Sequence, residues 1–310
     1  MNTRILLKDN RGESMRLGTA ILMAAFCVSA GCKSRDAGNY SKMHSEAGIK
    51  RPKFSQIHKD LMQIERKYAS RATLMTYGQS SGGHPLLAIK LEDRDFKPKK
   101  SRKAVIITES IHGNEYLHIT DQLVPEFAKR SGELSPLKSF LADGGLIYMI
   151  PVYNPDGFIA GVRENSNHVD LNRDFIIPSL ANDGMKEAET KSFVNLIHSE
   201  AKKENFSLEF FMEYHCCIGG LIHPWAHTEK PLAKQQLIAL EEIGEISKKT
   251  LGYPYGNAHD IVNYNATGAS IDYIQETFMR RAFSLEGKYE TEDKNLRKHA
   301  AMYDEIFSRI

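Results

Sequence analysis

Residues 104–115 read Ala104-Val105-Ile106-Ile107-Thr108-Glu109-Ser110-Ile111-His112-Gly113-Asn114-Glu115, and the reading of this stretch decides the fold. Its first five residues form a short β-branched run, typical of a strand buried on both faces. A tight turn then follows, with Gly113 permitting the bend, so that His112 and Glu115 can face one ion. Alone, His-x-x-Glu is a weak pattern that arises by chance in many chains of this size. Farther along, His215 closes a second apolar run, Phe210-Phe211-Met212-Glu213-Tyr214, and Glu286 ends a third, Ala282-Phe283-Ser284-Leu285. Two histidines and a carboxylate can hold a catalytic zinc ion with one position open for water, and a further glutamate can act as base. Each residue alone means little. Together, each at the end of a strand-like segment, they point to metal-dependent hydrolysis.

The rest of the pattern fits an α/β domain. Phe54, Ile57, Leu61, Ile64 and Tyr68 fall at helical spacing. Thr73–Gly78 and Pro85–Leu91 are apolar runs split by Ser80-Ser81-Gly82-Gly83, a hairpin signal. Strands are expected at Leu146–Tyr153 and Leu208–Tyr214, and helices at Tyr116–Arg130, Lys186–Lys203, Leu232–Leu251, Ser270–Phe278 and Leu296–Ile310. This alternation predicts one domain over residues 51–310, with a central mixed, mostly parallel twisted sheet covered by helices on both faces. In such sheets ligands gather where strands end, which is where the candidate residues sit.

A chain of 310 residues, 41% hydrophobic and 26% charged, can bury a large core. Its 41 basic and 39 acidic residues leave a formal charge of +2, which gives no reason to expect a nucleic-acid partner. From Met15 to Cys32 the sequence has one positive charge, a short apolar stretch and small residues, so residues 1–32 are expected to be an export signal. Met15 could itself be the start. Ser29-Ala30-Gly31-Cys32 resembles a bacterial lipobox, with Ser29 where a bulky aliphatic residue is usual, so Cys32 is a candidate for lipidation. Residues 33–50 are polar and aperiodic, and read as a flexible linker. The chain is therefore expected in the periplasm or as an outer-membrane lipoprotein, touching the membrane only through that lipid, and as a monomer. Cys216 and Cys217 directly follow His215. They read as small side chains filling space beside the site, with a vicinal disulfide as the alternative in an oxidising compartment.

Asn154-Pro155-Asp156-Gly157 is a turn signal after the expected Leu146–Tyr153 strand. Beyond it stand Arg163 and the run Asp170-Leu171-Asn172-Arg173. Arginine combines fixed charge with forked donors, so Arg163 and Arg173 suit an oxyanion and a substrate carboxylate, although most arginines serve in surface ion pairs.

With these motifs in place, residues 51–310 resemble the zinc metallocarboxypeptidases of the A/B and N/E superfamily, as an exported bacterial member. His112-Gly113-Asn114-Glu115, Asn154-Pro155-Asp156-Gly157-Phe158 and Asp170-Leu171-Asn172-Arg173 are similar to the N/E type. Residues 215–225 resemble the family's segment running from its distant histidine, and residues 263–273 the A/B-type segment with the mobile tyrosine. Ser284-Leu285-Glu286 matches the strand that ends in the catalytic glutamate. The resemblance implies one zinc ion per chain, held by His112, Glu115 and His215. It implies Glu286 as general base, Arg163 at the oxyanion, Asn172 and Arg173 on the substrate's terminal carboxylate, and Tyr264 closing over the substrate. Ile271 falls at the pocket-floor position, which implies a preference for neutral or hydrophobic C-terminal side chains.

Rival readings stay open at this level. A murein peptide amidase or carboxypeptidase of the same fold would act on diaminopimelate-containing stem peptides, whose carboxylate Arg173 could equally bind. A non-catalytic binding module on the same fold usually lacks a ligand or the base, and this chain has all four. A serine hydrolase lacks its Gly-x-Ser-x-Gly elbow. His and Glu ligands accept several divalent ions, so zinc comes from the resemblance and not from the ligands alone.

Overall fold

Arg102–Glu109 forms β3, and both its faces are covered: Val105 and Ile107 pack into one apolar cluster, Ala104 and Ile106 into another. That is the two-sided burial its unbroken apolar run implies. The computed structural model describes residues 51–96, 101–278, 281–288 and 295–310. The expected export signal, Cys32 and the linker lie outside the described residues. The hairpin is β1 (Ala72–Gln79) and β2 (Pro85–Glu92), paired antiparallel. The remaining strands are β4 (Leu146–Ile150), β5 (Phe206–Cys216), β6 (Gly220–Ile222), β7 (Tyr255–Gly256) and β8 (Arg281–Gly287). They form one sheet in the order β1-β2-β4-β3-β5-β8-β6-β7. The central strands β4, β3, β5 and β8 run parallel, and the antiparallel pairs lie to either side. The architecture is the expected one.

On one face pack α1 (Phe54–Lys67), α2 (Thr120–Arg130), α6 (Lys234–Leu251) and α9 (Leu296–Phe307), through residues such as Leu61, Phe127, Ile243 and Tyr303. The other face holds α5 (Ala188–Glu204) and α8 (Ser270–Phe278), through Phe193, Leu196, Ile271 and Ile274. Among the described residues no helix is long and apolar enough to cross a membrane.

Two departures from the sequence reading have local causes. The helix expected from Tyr116 starts only at Thr120. The buried carboxylate of Glu109 accepts N–H bonds from Leu117 (2.7 Å), Ile119 (3.3 Å) and Thr120 (2.6 Å), and His118 sits at φ 62°. A residue in that conformation cannot belong to a helix. A short helix missed in the sequence, α3 (Pro136–Ala142), is capped by Ser135, whose hydroxyl accepts from Lys138 N at 3.1 Å, with proline in the first turn. Two more short helices, α4 (Pro155–Ala160) and α7 (Ala258–Val262), were also unforeseen.

Candidate functional site

The site lies at the carboxyl ends of the parallel strands. His112 and Glu115 occupy the turn after β3, while His215 and Glu286 face each other as cross-strand partners of β5 and β8. The β5–β8 register thus carries the third candidate ligand and the candidate base to the same height. Gly113 serves a different purpose from the one expected. Its φ is not positive; instead, a Cβ there would come within 2.0 Å of the Gly157 carbonyl carbon. The turn can sit where it does only because the backbone of α4 passes directly against it. Asn154 locks this contact. Its side chain caps α4 by accepting from Gly157 N (2.9 Å) and donates to the carbonyls of Ile111 and Arg163 (both 3.3 Å). The sequence showed a turn at Asn154; the structure gives it the task of joining the Arg163 loop to the His112 turn.

Three potential ligand atoms converge. His112 Nδ1 and His215 Nδ1 lie 3.2 Å apart, and Glu115 Oε2 is 2.9 Å from the first and 3.0 Å from the second. The far nitrogens of both rings face carboxylates: His112 Nε2 is 3.0 Å from Asp170 Oδ1, and His215 Nε2 is 2.7 Å from Glu213 Oε2. Those partners fix the Nε2–H tautomer on each ring and turn a lone pair at each Nδ1 toward the common point. Arg163 already brings positive charge to this point, 3.0 Å from His112 Nδ1 and 2.9 Å from Glu115 Oε1, and a zinc ion would take the place of the proton that His215 shares with Glu115. The spacing of the three ligand atoms is near the edge of ~3.3 Å expected for a tetrahedron of ligands at the usual zinc distances. The residues fit a zinc ion.

The electrostatics agree with this. Burial of Glu115 opposes its charge, but His112, His215 and Arg163 outweigh that and hold its pKa well below the usual range. Asp170 is likewise pulled well down against burial, by His112, Arg163 and Arg173. For His215, burial disfavours the imidazolium, yet Glu213 and Glu115 raise its pKa well above the ordinary value. Burial pushes the Glu286 carboxyl up to about 8, offset in part by His215. Arg163 donates to Glu115 (2.9 Å) and to Asp170 (2.9 Å), which place its guanidinium against the candidate ligands.

Asn172 and Arg173 lie in a 3-10 turn whose N-terminal cap is Asp170. One pocket brings together His112, Arg163, Asn172, Arg173, His215, Tyr264, Ile271 and Glu286, and the remaining sequence-predicted residue of the described region, Glu115, is buried behind it against both histidines. Ile222, Ala226, Val262 and Ala269 complete a largely apolar wall. Tyr264 is 50% exposed. Gly268, with φ +80°, allows its segment to lie on Arg173, since a Cβ there would meet the Arg173 carbonyl oxygen at 2.4 Å. Cys216 and Cys217 pair with each other. Asp170, Glu213 and Ser270 received no role from the sequence. Glu213 carried a usable signal, because positions two apart on a strand share a face.

A sequence model described as zinc carboxypeptidase matches residues 57–300. The chain is similar to mast cell carboxypeptidase A of Rattus norvegicus, 24% identical over 258 residues that cover 72% of this chain and 60% of the relative. Carboxypeptidase SOL1 of Arabidopsis thaliana is 26% identical over 147 residues, 44% of this chain and 29% of that protein. The chain therefore spans less than two thirds of these relatives. Among solved structures it shares its fold with carboxypeptidase A from Helicoverpa armigera, at a TM-score of 0.66, 15% identity and coverage of 84% and 74%. The metallo-carboxypeptidase from Burkholderia cenocepacia gives a TM-score of 0.63, 17% identity and coverage of 82% and 68%.

Proposed function

Because the chain belongs to the zinc carboxypeptidase family, we propose that it removes C-terminal residues from peptides by metal-assisted hydrolysis, with one zinc ion per chain. One arrangement supports this above all: His112, Glu115 and His215 converge, and the two histidines line one pocket with Arg173 and Glu286. A zinc ion held by those three residues supplies Lewis acidity, lowering the pKa of a water and polarising the scissile carbonyl.

The chain's own residues do the rest. Arg173, with the Asn172 amide beside it, binds the terminal carboxylate and so restricts cleavage to the last peptide bond. The apolar wall ending at Ile271 receives a neutral or hydrophobic side chain. Tyr264 folds over the substrate and excludes water. Glu286 takes a proton from the attacking water and delivers it to the leaving amine. Arg163 donates to the oxygen on which negative charge develops, and losing such a donor typically costs about 3 kcal/mol in the transition state. We further propose that this chemistry takes place outside the cytoplasm, on the strength of the export-like run Met15–Cys32.

The test is a substrate panel of blocked dipeptides and diaminopimelate-containing muropeptides, assayed with chelator and after zinc is restored. Release of the C-terminal residue from dipeptides, lost with chelator and regained with zinc, is expected. Muropeptide cleavage without dipeptide turnover would replace this substrate class, and activity indifferent to chelator would remove the mechanism.

A further inference from the structure

Glu213 is fully buried in β5, and His215 is its ion-pair partner among the described residues. Its Oε2 accepts from His215 Nε2 (2.7 Å) and from Ser270 Oγ (2.7 Å). Ser270 opens α8, and its backbone N–H donates to Asn172 Oδ1 at 2.9 Å. That bond fixes the Asn172 amide, whose Nδ2 lies 3.3 Å from His215 Nε2. One carboxylate thus touches a candidate metal ligand directly and reaches the substrate-clamping asparagine through one serine.

A packing role does not account for it. A buried carboxylate costs far more than a neutral group of the same shape unless positive charge compensates it. Any neutral acceptor could have satisfied Ser270 and the ring N–H. The compensating partner is the His215 ring at 2.7 Å, and a cation on that ring's other nitrogen would add to it, which a neutral acceptor at this position could not exploit.

We infer that Glu213 is a positioning residue for the metal. It holds the His215 ring with Nδ1 toward the ion and strengthens that nitrogen as a donor, while through Ser270 it keeps Asn172 in register with the metal. On the opposite ligand Asp170 backs His112 in the same way, so both histidines are braced from behind. The inference rests on the proposed zinc site but needs no turnover to be tested.

The experiment is competitive zinc titration against a chromophoric chelator, on the full chain and on the variants E213A and E213Q, with the melting temperature of each metal-free protein as control. Loss of such an outer partner typically weakens metal binding about 10- to 100-fold. E213A should fall in that range. E213Q keeps an acceptor oxygen without the charge and should fall between it and the parent. Metal-free melting temperatures should not follow the same order. If both variants bind zinc within about threefold of the parent, or if affinity falls only in step with metal-free stability, Glu213 is structural and the inference is wrong. Should E213A fail to fold, E213Q decides alone. A parent chain that binds no zinc would instead overturn the proposed function, and this inference with it.

Discussion

Gly113→Ala tests the architecture of the metal turn with a single methyl group. The added Cβ would stand 2.0 Å from the Gly157 carbonyl carbon and 2.2 Å from Phe158 N, both backbone atoms that no rotamer change can move. Carbon atoms need at least ~3.4 Å, so one segment must retreat by more than ~1 Å. Overpacking of this kind costs about 1–3 kcal/mol of stability. The retreat also acts on function. Gly113 N donates to Arg163 O at 3.2 Å, so the turn bearing His112 and Glu115 is displaced relative to the Arg163 loop. Misplacement by ~1 Å near reacting groups typically costs about 100-fold in rate. Urea denaturation, zinc titration and kcat/KM on one blocked dipeptide should therefore all deteriorate together. Gly83→Ala is the control: its φ is +85° with nothing within 4 Å of the added atom, so it should lose stability through backbone strain and leave zinc affinity alone. A Gly113→Ala protein with the parent's stability and kcat/KM would refute the close approach as the reason for glycine.

Further outcomes follow from the same site. Glu286→Gln should lower kcat by about 10²–10⁴-fold while zinc affinity holds. In the parent the base must be ionised, so kcat/KM should rise with pH through the Glu286 pKa, which burial raises and a neighbouring zinc ion would lower, and a pH profile should show this limb in the parent and lose it in Glu286→Gln. Ile271→Asp should lower turnover of peptides ending in leucine or phenylalanine about tenfold or more and favour those ending in lysine or arginine, measured as a kcat/KM ratio. Zinc affinity should weaken as pH falls. His215 has a raised pKa in the metal-free protein, so below that value zinc must displace its proton, at about tenfold per pH unit for one proton. A titration series that is flat from pH 8 to pH 6 would contradict the charge assignment at His215.

The legible parts of this protein were those whose physics is local. The buried strands β3, β5 and β8 announce themselves as continuous apolar runs, and a functional residue that breaks such a run, as His215 and Glu286 do, is conspicuous because burying it needs compensation. The short capped helices were missed although their caps are local, but around the metal turn the decisive contacts are with residues outside the motif. The start of α2 depends on the Glu109 carboxylate of β3. The glycine at 113 answers to Gly157, which no local turn preference reports.

The residues that hold the site together fall between these cases. Glu213 and His215 are two apart on β5, so strand alternation alone places them on one face, next to each other. What the sequence could not supply was the reason a charge is tolerated there, because that requires knowing that Ser270 and the His215 ring converge on the same oxygen. Asp170 sat in plain view within the Asp170-Leu171-Asn172-Arg173 run, yet its work on His112 and Arg163 emerges only when the loop after β4 folds back over the turn after β3. The ligands are readable because chemistry restricts which residue types can bind a metal. Their supports are less readable, because any carboxylate reaching the same point from any strand or loop would serve. That asymmetry makes Glu213 and Asp170 the better test of the proposed centre: altering a ligand removes the ion whatever surrounds it, whereas altering a support weakens binding only if the imidazoles are oriented as the geometry requires.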